Sequence, residues 1–146
     1  MVIGIFGESC TGKSSLAAKI AANLSCEIIT GKDYLRLAKN ENIAQAMFRK
    51  KLSAAVNGDH IIYVIAEKEH LSLLPEGAFR ILVTAELETI KSRFAQRMRG
   101  SLPAPVAAML EKKHGCYDCV PHDIHVVSEE TDFEFVAEQI RTELMK

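Results

Sequence analysis

The chain has 146 residues and a mass of 16.1 kDa, which is the usual size of one domain. Hydrophobic residues make up 48% of it and charged residues 25%, a composition that excludes disordered, collagen-like and coiled-coil chains. The net charge of −1 gives no support to a nucleic-acid or membrane-surface role. No apolar run reaches the length of about 18 residues that predicts a membrane-spanning helix.

The first residues, 1–6, are apolar but lack a basic leader, and Glu8 follows shortly, so we interpret them as a buried strand and not as a secretion signal. We therefore expect a cytoplasmic protein whose four cysteines are reduced thiols. These cysteines are Cys10, Cys26, Cys116 and Cys119.

Hydrophobic periodicity predicts strands that alternate with helices along the chain. The predicted strands are 2–6, 27–30, 60–66, 79–84 and 124–127. The predicted helices are 13–24, 33–56 (mostly helical), 86–99, 106–114 and a last helix that opens at a capping box, Thr131–Glu134. This alternation predicts a single domain over 1–146: an α/β, three-layer fold of about five parallel strands with helices on both faces.

Two connections between the predicted strands are long, and both are basic. Residues 31–58 link the second and third strands, and residues 97–122 link the fourth-strand region to the fifth. Positive charge is concentrated there, with six basic and two acidic side chains in 32–51 and six basic and one acidic in 91–113. Long segments in compact α/β domains are often binding elements, so both are candidates for contact with polyphosphate.

The first loop has the pattern G-x-x-x-x-G-K-S, which is the P-loop motif, between a predicted strand and a predicted helix. Its glycines allow successive N–H groups to turn inward around an anion, at the positive end of the following helix. The lysine can bridge phosphate oxygens, and Ser14 can ligate Mg²⁺. We predict that ATP is bound by Gly7, Glu8, Ser9, Cys10, Thr11, Gly12, Lys13, Ser14 and Ser15.

Three further stretches resemble the nucleoside monophosphate kinase group, which includes adenylate and cytidylate kinases and the similar shikimate kinase. Residues 30–36 resemble the T-G-D-x-L-R segment of adenylate kinases, with Lys32 as one extra residue. Residues 79–85 are similar to the strand that precedes the lid in cytidylate kinases. Arg93 and Arg97 reproduce the R-x-x-x-R spacing that leads into that lid.

This resemblance implies a role for each matching position. Asp33 and Arg36 would contact the phosphate acceptor, within an acceptor-binding segment 31–58. Arg93 and Arg97 would contact ATP phosphates and the transferring group, next to a lid segment 97–122. Asp33 would also be the base for a hydroxyl acceptor and a Mg²⁺ carboxylate beside Ser14.

The end of the third strand departs from the family pattern. Adenylate kinases have an Asp there, followed by Pro-Arg, whereas this chain has Glu67 and Lys68 and no arginine before Arg80. The outer-shell carboxylate for Mg²⁺ is therefore either Asp33 or Glu67.

The sequence accordingly predicts a phosphotransferase that moves the γ-phosphoryl of Mg·ATP to a small-molecule acceptor, in the first place a nucleoside monophosphate. Two alternatives stay open: a kinase of a small hydroxylated metabolite, and a nucleotide-binding NTPase or regulator without an acceptor. A GTP-dependent switch is disfavoured because the chain has no N-K-x-D tetrad. We expect neither a nucleic-acid nor a membrane partner.

A group of cysteines and histidines near the end of the chain offers a possible zinc site, because Cys-x-x-Cys is a common metal-binding arrangement. Its members are His114, Cys116, Cys119, His122 and His125. In a strand, side chains three residues apart point to opposite faces, so His122 and His125 are not expected to meet. We expect ordinary lid and strand residues here, with zinc or a redox pair of Cys116 and Cys119 as alternatives.

Overall fold

A computed structural model describes residues 1–145 of the chain. Its five strands form one parallel sheet in the order β2-β3-β1-β4-β5. The strands are β1 (Val2–Phe6), β2 (Glu27–Thr30), β3 (Ile61–Ile65), β4 (Phe79–Thr84) and β5 (Ile124–Val127). The α-helices are α1 (Lys13–Asn23), α2 (Glu41–Ala55), α3 (Leu87–Arg97), α4 (Ala104–Lys113) and α5 (Phe133–Leu144). The predicted α/β fold with five parallel strands is confirmed.

The helical region predicted over 33–56 is two elements in the structure. A 3₁₀ helix spans Asp33–Leu37, and α2 begins only at Glu41. The first element ends where Ala38 takes an extended backbone, and the Asn40 side chain then accepts a hydrogen bond from the Ile43 N–H, which caps α2. A second 3₁₀ helix, Lys68–Leu73, was not predicted. It is too short to show helical periodicity in the sequence.

Alternate residues of β1 pack on opposite faces of the sheet. Ile3 and Ile5 lie in an apolar cluster with α1 and α5, whereas Val2 and Phe6 lie in the cluster that includes α2. Every residue of β1 and β3 is buried, as expected for central parallel strands covered on both sides. A third, smaller cluster joins α3 and α4 to Cys10 of the first loop.

The start of α5 differs from the predicted capping box. The cap is Asp132, whose carboxylate accepts from the Glu134 N–H, while the Thr131 hydroxyl accepts from the Val127 N–H instead. Thr131 is thus used to close the turn after β5, and the helix begins one residue later than the box would place it.

The topology brings the loops after β1, β2, β3 and β4 to one edge of the sheet, because all five strands run in the same direction. Ligand sites of open parallel sheets lie at this edge, outside the carboxyl ends of the strands. None of the helices within residues 1–145 is long and apolar enough to cross a membrane.

Candidate functional site

The loop Gly7–Ser14 connects β1 to α1 by a backbone path that depends on its glycines. A Cβ atom on Gly7 would lie 2.1 Å from the main-chain oxygen of Val83 in β4, so only glycine fits there. Gly12 has φ +98° and is the residue that precedes α1. Within the described chain no side chain caps the start of α1, so its first N–H groups are available to an anion. This is the conformation that the P-loop motif predicts.

Lys13 is held inside this loop. Its side chain is 7% exposed, and its Nζ donates to the main-chain oxygen of Glu8 at 2.5 Å. Burial lowers the pKa of Lys13 to about 8, and the nearby Arg97 acts in the same direction. An anionic ligand at this place would restore the charge balance that the buried ammonium lacks.

A cavity of about 180 Å³ opens beside the loop, and we call it the P-loop cavity. Its walls come from the P-loop, the end of β2, the end of β3 and the last residue of α3. They are Ser9, Cys10, Gly12, Lys13, Ser14, Ser15, Thr30, Gly31, Val64, Ala66 and Arg97. The structure thus brings Arg97 together with most of the predicted nucleotide-binding residues.

Two predicted P-loop residues support the loop and do not line this cavity. Thr11 is fully buried, and its hydroxyl donates to the main-chain oxygen of Glu8 at 2.9 Å. Glu8 turns its carboxylate away from the P-loop cavity, where it accepts from the Gly115 N–H at 3.1 Å and contacts His114 Nδ1 at 3.1 Å. The carboxylate therefore joins the P-loop to the turn that follows α4.

Arg93 lies one helical turn before Arg97 but has a different environment. Its guanidinium donates to the main-chain oxygen of Cys10 at 3.0 Å and to the Ser128 hydroxyl at 2.9 Å. It therefore connects the P-loop to the loop between β5 and α5. These two hydrogen bonds fix the position of the Arg93 guanidinium, and its predicted contact with ATP stays a prediction.

A second cavity, of about 410 Å³, shares Ser9 and Ala66 with the P-loop cavity, and we call it the adjoining cavity. Apolar side chains of α4 form part of its wall, and charged residues of the P-loop, of the segment after β3 and of α4 form another part. The remaining lining residues are Glu8, Glu67, Lys68, Glu69, Met109, Leu110, Lys113, Cys116 and Tyr117.

Tyr117 lines the adjoining cavity but has a buried hydroxyl without a partner within residues 1–145. The residue is 3% exposed, and its hydroxyl has no hydrogen-bond partner within residues 1–145. Burial raises the pKa of this hydroxyl, so it stays protonated and able to donate. Glu67, which also lines this cavity, has a lowered pKa, chiefly because of its interaction with the neighbouring Glu69 side chain.

Asp33 and Arg36 lie apart from both cavities. The Asp33 carboxylate accepts from the Thr30 N–H at 3.1 Å and lies 4.0 Å from the Arg36 guanidinium, and both residues line a separate pocket of about 190 Å³ between β2 and α2. Their predicted contacts with acceptor and metal stay predictions. Of the two carboxylates proposed for Mg²⁺, Glu67 is the one that lies in a wall next to the P-loop.

Glu8, Ser9 and Glu67 of the adjoining cavity were predicted as site residues, but its α4 side was not predicted individually. Lys113 and Tyr117 fall within the predicted lid segment 97–122, but they have no spacing that marks them, since the chain folds back after α4 before they meet Glu8. Ser128 was missed for the same reason. The hydrogen bond that Arg93 donates to the Ser128 hydroxyl becomes visible only in the folded structure.

The Cys and His residues near the end of the chain do not form a metal site in the described part of the chain. No three of them place ligand atoms within 4.8 Å of one another. His114 contacts Glu8, and His125 Nε2 lies 2.8 Å from the Thr84 hydroxyl. The expectation that His122 and His125 would be kept apart was wrong: their rings lie 5.7 Å apart, because His122 precedes β5 and strand alternation does not apply to it.

The sequence matches no protein-family model and no curated protein. Solved structures do match. The YorR protein of Bacillus subtilis, solved in complex with phosphorylated GDP, is 19% identical with a TM-score of 0.66, covering 99% of this chain and 96% of that one. A sugar kinase from a Janibacter species is 16% identical with a TM-score of 0.64, covering 98% and 93%.

Shikimate kinase from Bacteroides thetaiotaomicron is 13% identical with a TM-score of 0.61, covering 100% of this chain and 99% of that one. This chain has the fold of the small P-loop kinases. At such low identity the likeness is one of fold, so the chemistry has to be argued from the side chains that line the two cavities.

Proposed function

We propose that the chain is an ATP-dependent phosphotransferase that binds the triphosphate at the P-loop cavity and a small metabolite in the adjoining cavity. The observation that carries this proposal is that the two cavities lie side by side. The buried ammonium of Lys13 lies at one of them, and Ser9 and Ala66 form a wall common to both. A phosphoryl group bound at the loop would therefore lie next to the place for an acceptor.

The proposed donor suits the residues present. Lys13 would donate to β- and γ-phosphate oxygens once it leaves the Glu8 carbonyl, and the uncapped start of α1 would add main-chain N–H groups. The Ser14 hydroxyl, exposed in the P-loop cavity, would hold Mg²⁺, which supplies charge neutralisation at the phosphates when it is bound. Arg97, in the same wall, would contact the transferring group.

The adjoining cavity suits a small polar acceptor. Its volume of about 410 Å³ is at the lower end of typical ligand pockets. Lys68 and Lys113 can bind an anionic group, while Met109 and Leu110 present apolar surface. Structures of similar fold include a sugar kinase and a shikimate kinase, so a hydroxylated metabolite is a proposed acceptor besides the nucleoside monophosphate predicted from the sequence.

The test is an acceptor panel with Mg·ATP, in which ADP formation is followed with monophosphates, sugars and small hydroxy acids. We expect ADP formation to depend on one class of acceptor and to disappear in Lys13→Met. Slow hydrolysis that no acceptor changes would contradict the proposal and would favour an NTPase or regulator. Asp33→Asn is the matched test of the predicted base: transfer that survives it would remove Asp33 from the catalytic residues.

A further inference from the structure

Three potential metal ligands come together directly after β3. Ligand atoms of Glu67, Glu69 and His70 all lie within 4.8 Å of one another. They belong to the start of the short 3₁₀ helix, where the His70 N–H donates to the Glu67 main-chain oxygen at 3.0 Å and fixes the turn. The sequence marks Glu67 only as a carboxylate for the triphosphate-bound Mg²⁺, and no motif marks Glu69 or His70.

His70 is the independent observation that points to a ligand. It is 5% exposed, and its Nδ1 has no hydrogen-bond partner within residues 1–145. Its ring packs at the edge of Tyr34, with ring centroids 6.1 Å apart, and at 6.5 Å from Tyr63. Because buried imidazoles normally have their nitrogens satisfied, an unpartnered Nδ1 on a buried ring beside two carboxylates is unexpected for a purely structural histidine.

The two glutamates of this turn also lack a basic partner within ion-pair distance in the described residues. Within the part of the chain that the structure describes, neither Glu67 nor Glu69 forms an ion pair with a lysine or arginine. A divalent ion between the two carboxylates would give both a partner.

We propose that Glu67, Glu69 and His70 bind a divalent transition-metal ion such as Zn²⁺. One imidazole and two carboxylates form a mixed nitrogen and oxygen set that suits Zn²⁺ better than Mg²⁺, which prefers oxygen ligands and keeps its water. Three protein ligands leave coordination positions open. Glu67 and Glu69 line the adjoining cavity, so, if the proposed function holds, those open positions face an oxygen-bearing acceptor.

This site is distinct from the place proposed for Mg²⁺ at the triphosphate. Ser14 lines the P-loop cavity, whereas the two glutamates line the adjoining cavity and His70 lies behind them, toward Tyr34. Glu67 is a candidate for both sites, so they should be separable by substitution of Ser14 on one side and of Glu69 or His70 on the other.

The test measures Zn²⁺ binding to the chelator-treated full chain, without nucleotide, by competition with a chromophoric chelator. We expect one Zn²⁺ per chain, and an affinity weakened by at least about tenfold in Glu67→Gln and Glu69→Gln, both at exposed positions. His70→Phe, which keeps an aromatic ring against the tyrosines, should weaken it as much. The matched control Glu76→Gln, an exposed glutamate outside the group, and Lys13→Met should bind Zn²⁺ as the unaltered chain does.

Co²⁺ tests the open positions, because its visible absorption reports coordination. Acetohydroxamate, a small bidentate oxygen ligand, should shift the spectrum of the Co²⁺-loaded chain. An unchanged spectrum would contradict open positions toward the cavity.

Two results would overturn the metal site: no stoichiometric Zn²⁺ binding, or binding that survives Glu67→Gln and Glu69→Gln but is lost when Cys116 and Cys119 are both changed to Ser. Because the measurement uses neither ATP nor an acceptor, its failure leaves the phosphotransferase proposal intact. Conversely, an acceptor panel without activity leaves the metal site standing.

Discussion

Lys13 donates to the main-chain oxygen of Glu8, 2.5 Å away and five residues earlier in the same loop. The P-loop lysine thus has a carbonyl as its partner and not a carboxylate, although Glu8 carries one. The Glu8 carboxylate is engaged with Gly115 and His114 instead. The ammonium is therefore buried with a hydrogen bond but without a compensating negative charge, which leaves it ready to pair with a phosphate.

Lys13→Met should stabilise the ligand-free protein. Burial lowers the pKa of Lys13 from 10.5 to about 8. Below pH 8 the ammonium is charged in both states, and its burial in the folded chain favours unfolding. Removing that charge should raise the free energy of unfolding at pH 7 by up to about 3 kcal/mol. Urea unfolding of both proteins, followed by circular dichroism, measures the difference.

The pH dependence of that difference provides the control. Between pH 8 and 10.5 Lys13 binds more protons in the unfolded chain than in the folded chain. Its unfavourable effect on the free energy of unfolding therefore decreases as the pH rises. The gain from Lys13→Met should shrink across this window. A substitution that destabilises at pH 7, or a gain that is independent of pH, would contradict the assignment of a strained charge to Lys13.

Nucleotide binding should take up a proton above pH 8. The free ammonium is increasingly neutral there, whereas a bound triphosphate favours its charged form. The affinity for Mg·ATP should therefore fall as pH rises from 8 to 10. Calorimetry in two buffers of different ionisation enthalpy measures the proton uptake directly, and equal heats in both buffers would refute it.

Gly7→Ala should be far more harmful than Gly100→Ala. A Cβ at Gly7 would lie 2.1 Å from the Val83 main-chain oxygen, so β1 and β4 would have to separate at the P-loop. Gly100 has φ +103° with no atom within 4 Å of an added Cβ, so alanine there costs only backbone strain, about 1–2 kcal/mol. Thermal unfolding compares them, and equal losses of Tm would show that the loop adapts.

The sequence could predict the strands and the P-loop because their signals are local. Residues 2–6, 27–30, 79–84 and 124–127 are short apolar runs, and they are strands with the same bounds in the structure. The 3₁₀ helix Lys68–Leu73 and the break before Glu41 depend on single turns, which hydrophobic periodicity does not resolve.

The site divides in the same way. The P-loop residues follow a fixed spacing. Lys113 and Tyr117, in contrast, come to line a cavity with Glu8 only in the folded chain. Asp33 and Arg36, which a local resemblance places at the acceptor, line a separate pocket where the Asp33 carboxylate accepts from the Thr30 N–H, and their contacts with an acceptor stay predictions. The contacts of Glu8 with His114 and Gly115 join residues 106 and 107 positions apart, so no short window of the sequence shows them.

Arg93→Ala and Arg97→Ala should have different consequences although the residues are one turn apart. Arg93 donates to Cys10 and Ser128, so its loss leaves those oxygens unpaired and should cost about 1–3 kcal/mol of stability. Arg97 is exposed and lines the P-loop cavity, so its loss should leave Tm unchanged and lower the rate of phosphoryl transfer. Denaturant unfolding and the acceptor assay are run on both, and a loss of stability in Arg97→Ala would contradict this division.

Glu8→Ala should loosen the turn after α4 without unfolding the sheet. The Glu8 carboxylate is 9% exposed and accepts from the Gly115 N–H, so its removal leaves a partly buried donor unpaired, at a cost of about 1–3 kcal/mol. Hydrogen exchange at Gly115 and its neighbours should accelerate, while exchange in β1 and β3 stays slow. Glu111→Ala is the matched control, because Glu111 pairs with Lys91 on the exposed side of α4 and its loss should cost less than about 1 kcal/mol. If exchange at Gly115 responds equally to both substitutions, the turn is held by α4 packing and not by Glu8.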